Sequence, residues 1–226
     1  MLESNDPKFE FINYDGNTSI YALDILRRHG QLEKMKLFSI AGRMPHFADY
    51  LAIFNKVHHV TMVDTCLPFG IEQSPAKLVI HRQDFFTLDP LDVDCVISHA
   101  AIHCFNDTRY GNVNTPEGFQ KPYQVPAKLR QIVGDKKVPA IVSIAVNREE
   151  GFFDNNVHLA HDKFVAAFGK AGFALRDYFF DYVCGGGIPH KNEYFQTEYR
   201  RSKTFPPPSD SPKAAREWVV GVYYFC

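Results

Sequence analysis

Ser98 to Asn112, SHAAIHCFNDTRYGN, concentrates side chains that can do chemistry. His99, His103, Asn106, Asp107, Arg109 and Tyr110 give this stretch more polar density than the folding of a loop requires. Histidine accepts a proton from a substrate hydroxyl near neutral pH, and arginine holds a carboxylate or phosphate through two parallel hydrogen bonds. A base and an anion clamp are therefore both at hand, with His99 and Tyr110 beside them as substrate contacts. His99 and His103 stand four residues apart and could share a metal ion on a helix, but no third carboxylate or cysteine has an obvious place, so structural histidines are favoured and no metal is expected. A second polar run, DNNVHLAHD (Asp154 to Asp162), offers Asn156 and His158 to the same site. Its plain alternative is helix capping by Asp154, Asn155 or Asn156 with His161 facing solvent.

These residues need a frame to bring them together, and the segment from Lys36 to Asp64 supplies its beginning. KLFSIAG is an apolar run with a glycine turn, RMPHFADYLAIF is amphipathic, and HHVTMVD is a second apolar run closed by an acid. The order is strand, turn, helix, strand, with Asp64 at the carboxyl tip of the second strand, where a doubly wound sheet places the residue that reads a ribose. A nucleoside-type cofactor follows as the first hypothesis. The turn carries Gly42, followed by Arg43, Met44 and Pro45, and GxGxxG is absent, so the loop by itself is an ordinary strand-to-helix turn. Its pairing with Asp64 shifts the reading toward a ligand, while the plain reading of Asp64 is a cap or turn acid. Asp84, just after a third strand at Lys77–His81, either accepts a hydrogen bond from the exocyclic amine of adenine or caps the segment FFTL; the two readings stay open. Ser98 and His99 close a fourth strand, Val93–Ser98, at the tip facing the crevice where open α/β sheets bind ligands.

Further along, VPAKLRQIV reads as a helix, Val138–Val146 as a fifth strand and HDKFVAAFGKAG as another helix. Ahead of the first strand, SIYALDILRRH is a helix capped by Asn17 or Thr18, placed as a lid. Alternating strands and helices predict an α/β fold: a doubly wound, mostly parallel, seven-stranded sheet covered on both faces. FALRDYFFDYV and EWVVGVYYF break the alternation and are expected to pair as an antiparallel hairpin at the sheet edge. Between them, about 185–216, runs a Gly- then Pro-rich insertion of the length used for a lid, a dimer contact or plain flexible surface.

Composition bounds the function. The 226 residues are 45% hydrophobic and 14% aromatic, enough for one domain, 1–226, with a full core. A formal net charge of −1 leaves no basic footprint for nucleic acid. Five cysteines, odd in number and without a CxxC, read as reduced thiols. The acidic N-terminus lacks an export layout and no apolar run approaches membrane-spanning length, so a cytoplasmic protein without membrane contact is expected; a homodimer is among the open oligomeric states.

The layout resembles the class I S-adenosylmethionine-dependent methyltransferases, with their Rossmann-like sheet. More narrowly, it is similar to methyltransferase-like proteins associated with surface-polysaccharide biosynthesis. Their first turn, D-I-G-S-R, is matched by Ser39, Ile40, Ala41, Gly42 and Arg43, and their V-T-x-I-D by Val60, Thr61, Met62, Val63 and Asp64. Their histidine and following G-R-Y-G-D are matched by His103 and then Thr108, Arg109, Tyr110, Gly111 and Asn112, and an F-N-x-H element is echoed by Asn156 and His158. The resemblance spans about Phe9 to Tyr182. It implies S-adenosyl-L-methionine as cofactor, its methionine part at Ser39, Gly42 and Arg43, its ribose at Asp64, its adenine at Asp84, and Ser98 also against it. It further implies methyl transfer to a hydroxyl of a small or sugar-like acceptor, with His103 as the preferred base, His158 second, and Arg109 orienting the acceptor. Ser39 stands where these relatives carry an acid, and Ala41 where they carry a glycine, so charge pairing with the cofactor's ammonium is lost. That departure keeps a catalytically silent binding or scaffold protein in view. A nicotinamide-dependent Rossmann enzyme is the third reading, permitted by Asp64 and opposed by the missing GxGxxG.

Overall fold

In the computed structural model the described residues are 14–40, 56–64, 78–99, 101–106, 120–153, 156–184, 198–205 and 219–226. The strands are β1 (Lys36–Ile40), β2 (His59–Val63), β3 (Leu78–His81), β4 (Cys95–His99), β5 (Ala140–Asn147), β6 (Gly151–Phe153), β7 (Asn156–Ala160), β8 (Leu175–Cys184), β9 (Glu198–Ser202) and β10 (Val219–Phe225). Helices α1 (Tyr14–His29), α2 (Lys121–Val133) and α3 (His161–Lys170) pack against them. The sheet runs β3-β2-β1-β4-β5-β10-β8-β9, and β7 adds to the end of β5 and pairs with β6.

The strands β3, β2, β1, β4 and β5 are mutually parallel. Runs such as CVISH and AIVSIAVN are buried along almost their whole length, as strands covered on both faces must be. Beyond β5 the direction reverses: β10 is antiparallel to β5 and to β8. The expected α/β architecture and the antiparallel pairing of the two last aromatic strands are thus present. Three short strands are additional. β9 lies inside the insertion and extends the edge past β8, and β6 pairs antiparallel with β7, the strand that carries Asn156 and His158 of the second polar run, where the alternative reading from sequence is helix capping.

One face of the sheet is covered by α1, whose Ala22, Ile25 and Leu26 follow the spacing of a helical stripe and pack with Leu37, Met62, Ile97 and Ile141. Tyr21 sets the height of this helix, its ring edge-on to Phe179 at 4.9 Å and its hydroxyl donating to Asp177 at 3.1 Å. The other face packs Phe38, Ile40, Val96, Val142 and Ile144 against α2 and α3. Arg130 joins those two helices at their ends, donating to the carbonyls of Ala171, Gly134, Lys136 and Gly172 while its guanidinium lies 4.0 Å from the Phe173 ring centre. A glycine is required in β10: a Cβ at Gly221 would come within 2.6 Å of Tyr223 Cζ, because that ring lies flat over its own strand. No helix among the described residues is long and apolar enough to cross a membrane.

Candidate functional site

Strand alternation sorts the polar residues by face. In β1, Leu37 faces α1 and Phe38 faces α2 and α3, so Ser39 faces α1. In β4, Cys95 and Ile97 face α1, and His99 continues that row. In β5, Ile141 faces α1, and Ser143 follows. In β7, Val157 and Leu159 join the opposite core, which turns His158 to the α1 side as well. Register then fixes heights: Ser39 is level with Ile97, His99 with Ser143, and Leu159 with Val146. Ser39, His99, Ser143 and His158 consequently mark out one buried polar patch near the carboxyl ends of β1, β4 and β5, above the apolar contact with Ala22 to Leu26.

The patch is dry. Ser39 and Ser143 are 0% exposed, His158 2% and His99 7%. Burying polar groups costs free energy unless each finds a partner, so their concentration at one end of one face is not what core packing selects. His99 Nδ1 and Ser143 Oγ are hydrogen-bonded across β4 and β5. The Ser39 hydroxyl has no hydrogen-bond partner among the described residues, and its register neighbours Met62 and Ile97 are apolar. An orphaned buried hydroxyl at a strand tip is a site that a ligand's polar group can complete.

The other residues singled out in the sequence are placed as follows. Asp64 stands just past β2, half-buried, its N–H bonded to the His81 carbonyl at 3.1 Å. Asp84 follows β3 and caps the 3-10 turn Phe85–Thr87, its carboxylate accepting from Phe86 N at 3.0 Å. The capping reading is realised, on an exposed residue. Ser98 is buried on the α2 side, its hydroxyl donating to the Ile40 carbonyl at 3.4 Å, so that it ties the ends of β4 and β1. His103, 4% exposed, lies on the 3-10 turn Ile102–Asn106, which packs on β7 and α2. The structure thereby brings the turn of His103 against the strand of His158. Asn156 opens β7 opposite Phe153 of β6. Gly42, Arg43, Arg109 and Tyr110 lie outside the described residues.

Two contributors escaped the sequence reading. Ser143 is one, and its signal was a lone hydroxyl in the middle of the apolar strand AIVSIAVN. Tyr123 of α2 is the other: its hydroxyl donates to Glu150 at 3.0 Å and accepts from Ala160 N at 2.9 Å, holding the far end of β7. Burial, opposed by the Ala160 contact and helped by Glu150, pushes the Tyr123 hydroxyl well above its ordinary pKa, so it stays protonated and can donate. Sequence spacing carried no sign of this contact.

No protein-family model matches the chain, and no curated protein matches it in sequence. Solved structures do match in fold. A Burkholderia thailandensis 1,6-didemethyltoxoflavin-N1-methyltransferase, solved with 1,6-didemethyltoxoflavin and S-adenosylhomocysteine, aligns over 94% of this chain and 79% of its own at 12% identity, TM-score 0.56. An S-adenosylmethionine-dependent methyltransferase from Mesorhizobium loti aligns over 95% of this chain and 100% of its own at 12% identity, TM-score 0.56. The N-methyltransferase NodS from Bradyrhizobium japonicum, in complex with S-adenosylhomocysteine, aligns over 99% and 93% at 7% identity, TM-score 0.56. The chain has the Rossmann-like fold of the class I S-adenosylmethionine-dependent methyltransferases.

Proposed function

We propose that this protein is an S-adenosylmethionine-dependent methyltransferase acting on a hydroxyl of a small or sugar-like acceptor. The observation that carries the reading is the buried polar patch of Ser39, His99, Ser143 and His158 at the carboxyl ends of the parallel strands, with Asp64 beside it. That is where open α/β sheets bind nucleoside ligands. In this reading the Ser39 hydroxyl, without a partner among the described residues, offers a hydrogen bond to the cofactor's methionine part, Asp64 two acceptor oxygens for ribose hydroxyls, and Asp84, whose Oδ1 caps the following turn, its other carboxylate oxygen for the adenine amine. Gly42 and Arg43 complete the cofactor side in this reading, while Ser98, its hydroxyl bonded to the Ile40 carbonyl on the other face, supports that side by tying β4 to β1. S-adenosylmethionine supplies a methyl group made electrophilic by the sulfonium.

The chain's own task is then alignment and proton handling. His103 takes the proton of the acceptor hydroxyl, with His158 as second choice, and their burial excludes water that would compete with the acceptor. Arg109 orients an anionic or sugar-like acceptor, with His99, Tyr110 and Asn156 around it. The glycan or nucleotide-sugar character of the acceptor rests on the sequence resemblance of the RYG element.

Calorimetric titration with S-adenosylmethionine, S-adenosylhomocysteine and NAD tests the reading. Saturable binding of the first two alone is the expected result. Silence toward all three overturns it in favour of a scaffold, a reading that the neutral Ser39 keeps open, and binding of NAD alone favours a dehydrogenase. His103→Ala is expected to bind cofactor normally and to lose about 100-fold or more in turnover, the usual contribution of a general base; unchanged turnover removes His103 from the mechanism.

A further inference from the structure

We propose that Tyr123 is a positioning residue: one phenolic hydroxyl on α2 ties together the two ends of the β6–β7 pair and thereby sets where His158 stands. The inference deepens the methyltransferase reading and rests on it for its catalytic consequence, while its mechanical half concerns the fold alone. Among the described residues β7 meets β5 only through Leu159 and Ala160, which pair with Val146 and Asn147. The rest of β7 pairs with β6, a strand of three residues whose one partner among the described residues is β7. Two short strands attached over so little register need a second support.

That support is two hydrogen bonds to a single oxygen. Glu150, the residue before β6, accepts from the Tyr123 hydroxyl at 3.0 Å, and Ala160, the last of β7, donates its N–H to the same hydroxyl at 2.9 Å. Chemistry fixes the direction of each bond. An amide N–H only donates, so the phenolic oxygen is its acceptor and the one phenolic proton is left for Glu150. Burial, the largest influence on this phenol, pushes its pKa well up, so the donor persists far above neutral pH. The other Glu150 oxygen accepts from Lys163 of α3 at 2.9 Å, which holds the carboxylate from the second helix. His158, 2% exposed, lies two residues before Ala160, about 7 Å along an extended strand. The 3-10 turn of His103 packs on both β7 and α2. Loosening β7 from α2 therefore shifts His158 relative to that turn, and rate falls steeply when a reacting group is misplaced.

Residue-resolved amide hydrogen exchange of the full chain, wild type against Tyr123→Phe, tests the tie. Exchange across β6 and β7 is expected to be roughly 5–10-fold faster, the worth of a lost hydrogen bond, with little change in β1 and β4. Unmoved protection in β6 and β7 overturns the proposal. So does equal acceleration throughout the sheet, which would make the hydroxyl a contributor to global stability only. Glu150→Gln keeps an acceptor oxygen for the phenol and discards the ion pair with Lys163, so its β6 and β7 exchange is expected to stay near wild type; exchange as fast as in Tyr123→Phe would assign the support to the ion pair and overturn the role of the hydroxyl. Should the phenylalanine protein not fold, Glu150→Ala cuts the tie at the start of β6 and carries the same expectation and the same overturning results. In methyl transfer, Tyr123→Phe is expected to lower kcat roughly tenfold while the KM for cofactor stays within about twofold; an unmoved kcat would show the contact to be structural only. If S-adenosylhomocysteine does not bind the wild type, the cofactor assignment fails, and the exchange result still decides the tie.

Discussion

Strand β5 belongs to two regions of opposite character. On its β4 side it contributes Ser143 to a buried polar patch with His99. On its β10 side it borders an aromatic slab in which Phe164, Phe168, Phe173, Phe180, Tyr223 and Phe225 are all nearly inaccessible to solvent. Phe168 and Phe225 stack at 3.9 Å between centroids, nearly parallel, and Phe164 stands 5.4 Å from Tyr223. The slab supplies stability by burying large rings, while the patch spends it on polar groups kept dry. This is the division expected where a fold is stabilised in one place to tolerate an unfavourable arrangement in another.

The contrast can be broken most forcefully at Phe168. Phe168→Ala removes a fully buried ring and is expected to cost about 3–5 kcal/mol, measured by urea unfolding. What remains folded should bind S-adenosylhomocysteine with nearly unchanged affinity, because the ring lies on the α2 and α3 side of the sheet. A large loss of affinity with little loss of stability would mean that slab and patch are one unit.

Ser39→Ala probes the other side with a smaller change of opposite sign. Removing a buried hydroxyl that has no partner among the described residues should leave the ligand-free protein as stable or more stable by up to about 1 kcal/mol. The same change should weaken binding of S-adenosylmethionine by roughly 2–10-fold, the worth of one hydrogen bond. Denaturation midpoints and calorimetry read the two effects separately, and a destabilised variant with full affinity would place Ser39 in the core rather than the site.

How far this division could be seen in the sequence depends on what each part is made of. β1, β2 and the half-buried Asp64 were legible because an apolar run, an amphipathic run and a second apolar run have different periods. The parallel order of β1 to β5 followed from buried strands separated by helices. Helix α2 was read from Val125 and begins at Lys121, since Pro122 looks like a breaker. Pro122 stands at the helix start, where its missing N–H costs nothing, and the carbonyl that Pro126 leaves without its N–H is that of Pro122, still in the first turn. The β6–β7 hairpin was missed although FFDNNVHLA carries acidic and amide turn residues between apolar runs, because Asp and Asn serve equally as helix caps. β9, Glu198–Ser202, has no apolar pattern at all: EYRRS joins the sheet through its backbone, and its charges suit an edge. Ser143 and His99 stand 44 residues apart, and only the register of two strands made them neighbours.

The subtlest test lies at the rim of the slab, where a titratable group sits among aromatics. His161, the first residue of α3, donates or accepts through Nδ1 at 2.8 Å from the Tyr223 hydroxyl. Rings of Tyr178 and Phe180 from β8, Phe205 beyond β9 and Tyr223 from β10 surround it at 5.1–5.7 Å. The carboxylate of Asp162, on its own helix, lies 3.9 Å from Nε2. Burial lowers the His161 pKa, and Asp162 only partly opposes this. The native state therefore holds the ring neutral where the unfolded chain takes up a proton, so the unfolded state binds more protons just below the ordinary value of 6.5. Stability from this group is complete above that pH and declines as pH falls through 6.5 toward the lowered native value. His161→Asn keeps a polar partner for the buried Tyr223 hydroxyl and cannot titrate. Its urea midpoint should vary less with pH below 6.5 than that of the wild type. An equal slope in both proteins would assign the acid sensitivity to other groups, and the aromatic slab would then be a purely apolar contributor with no stake in the protonation state of the fold.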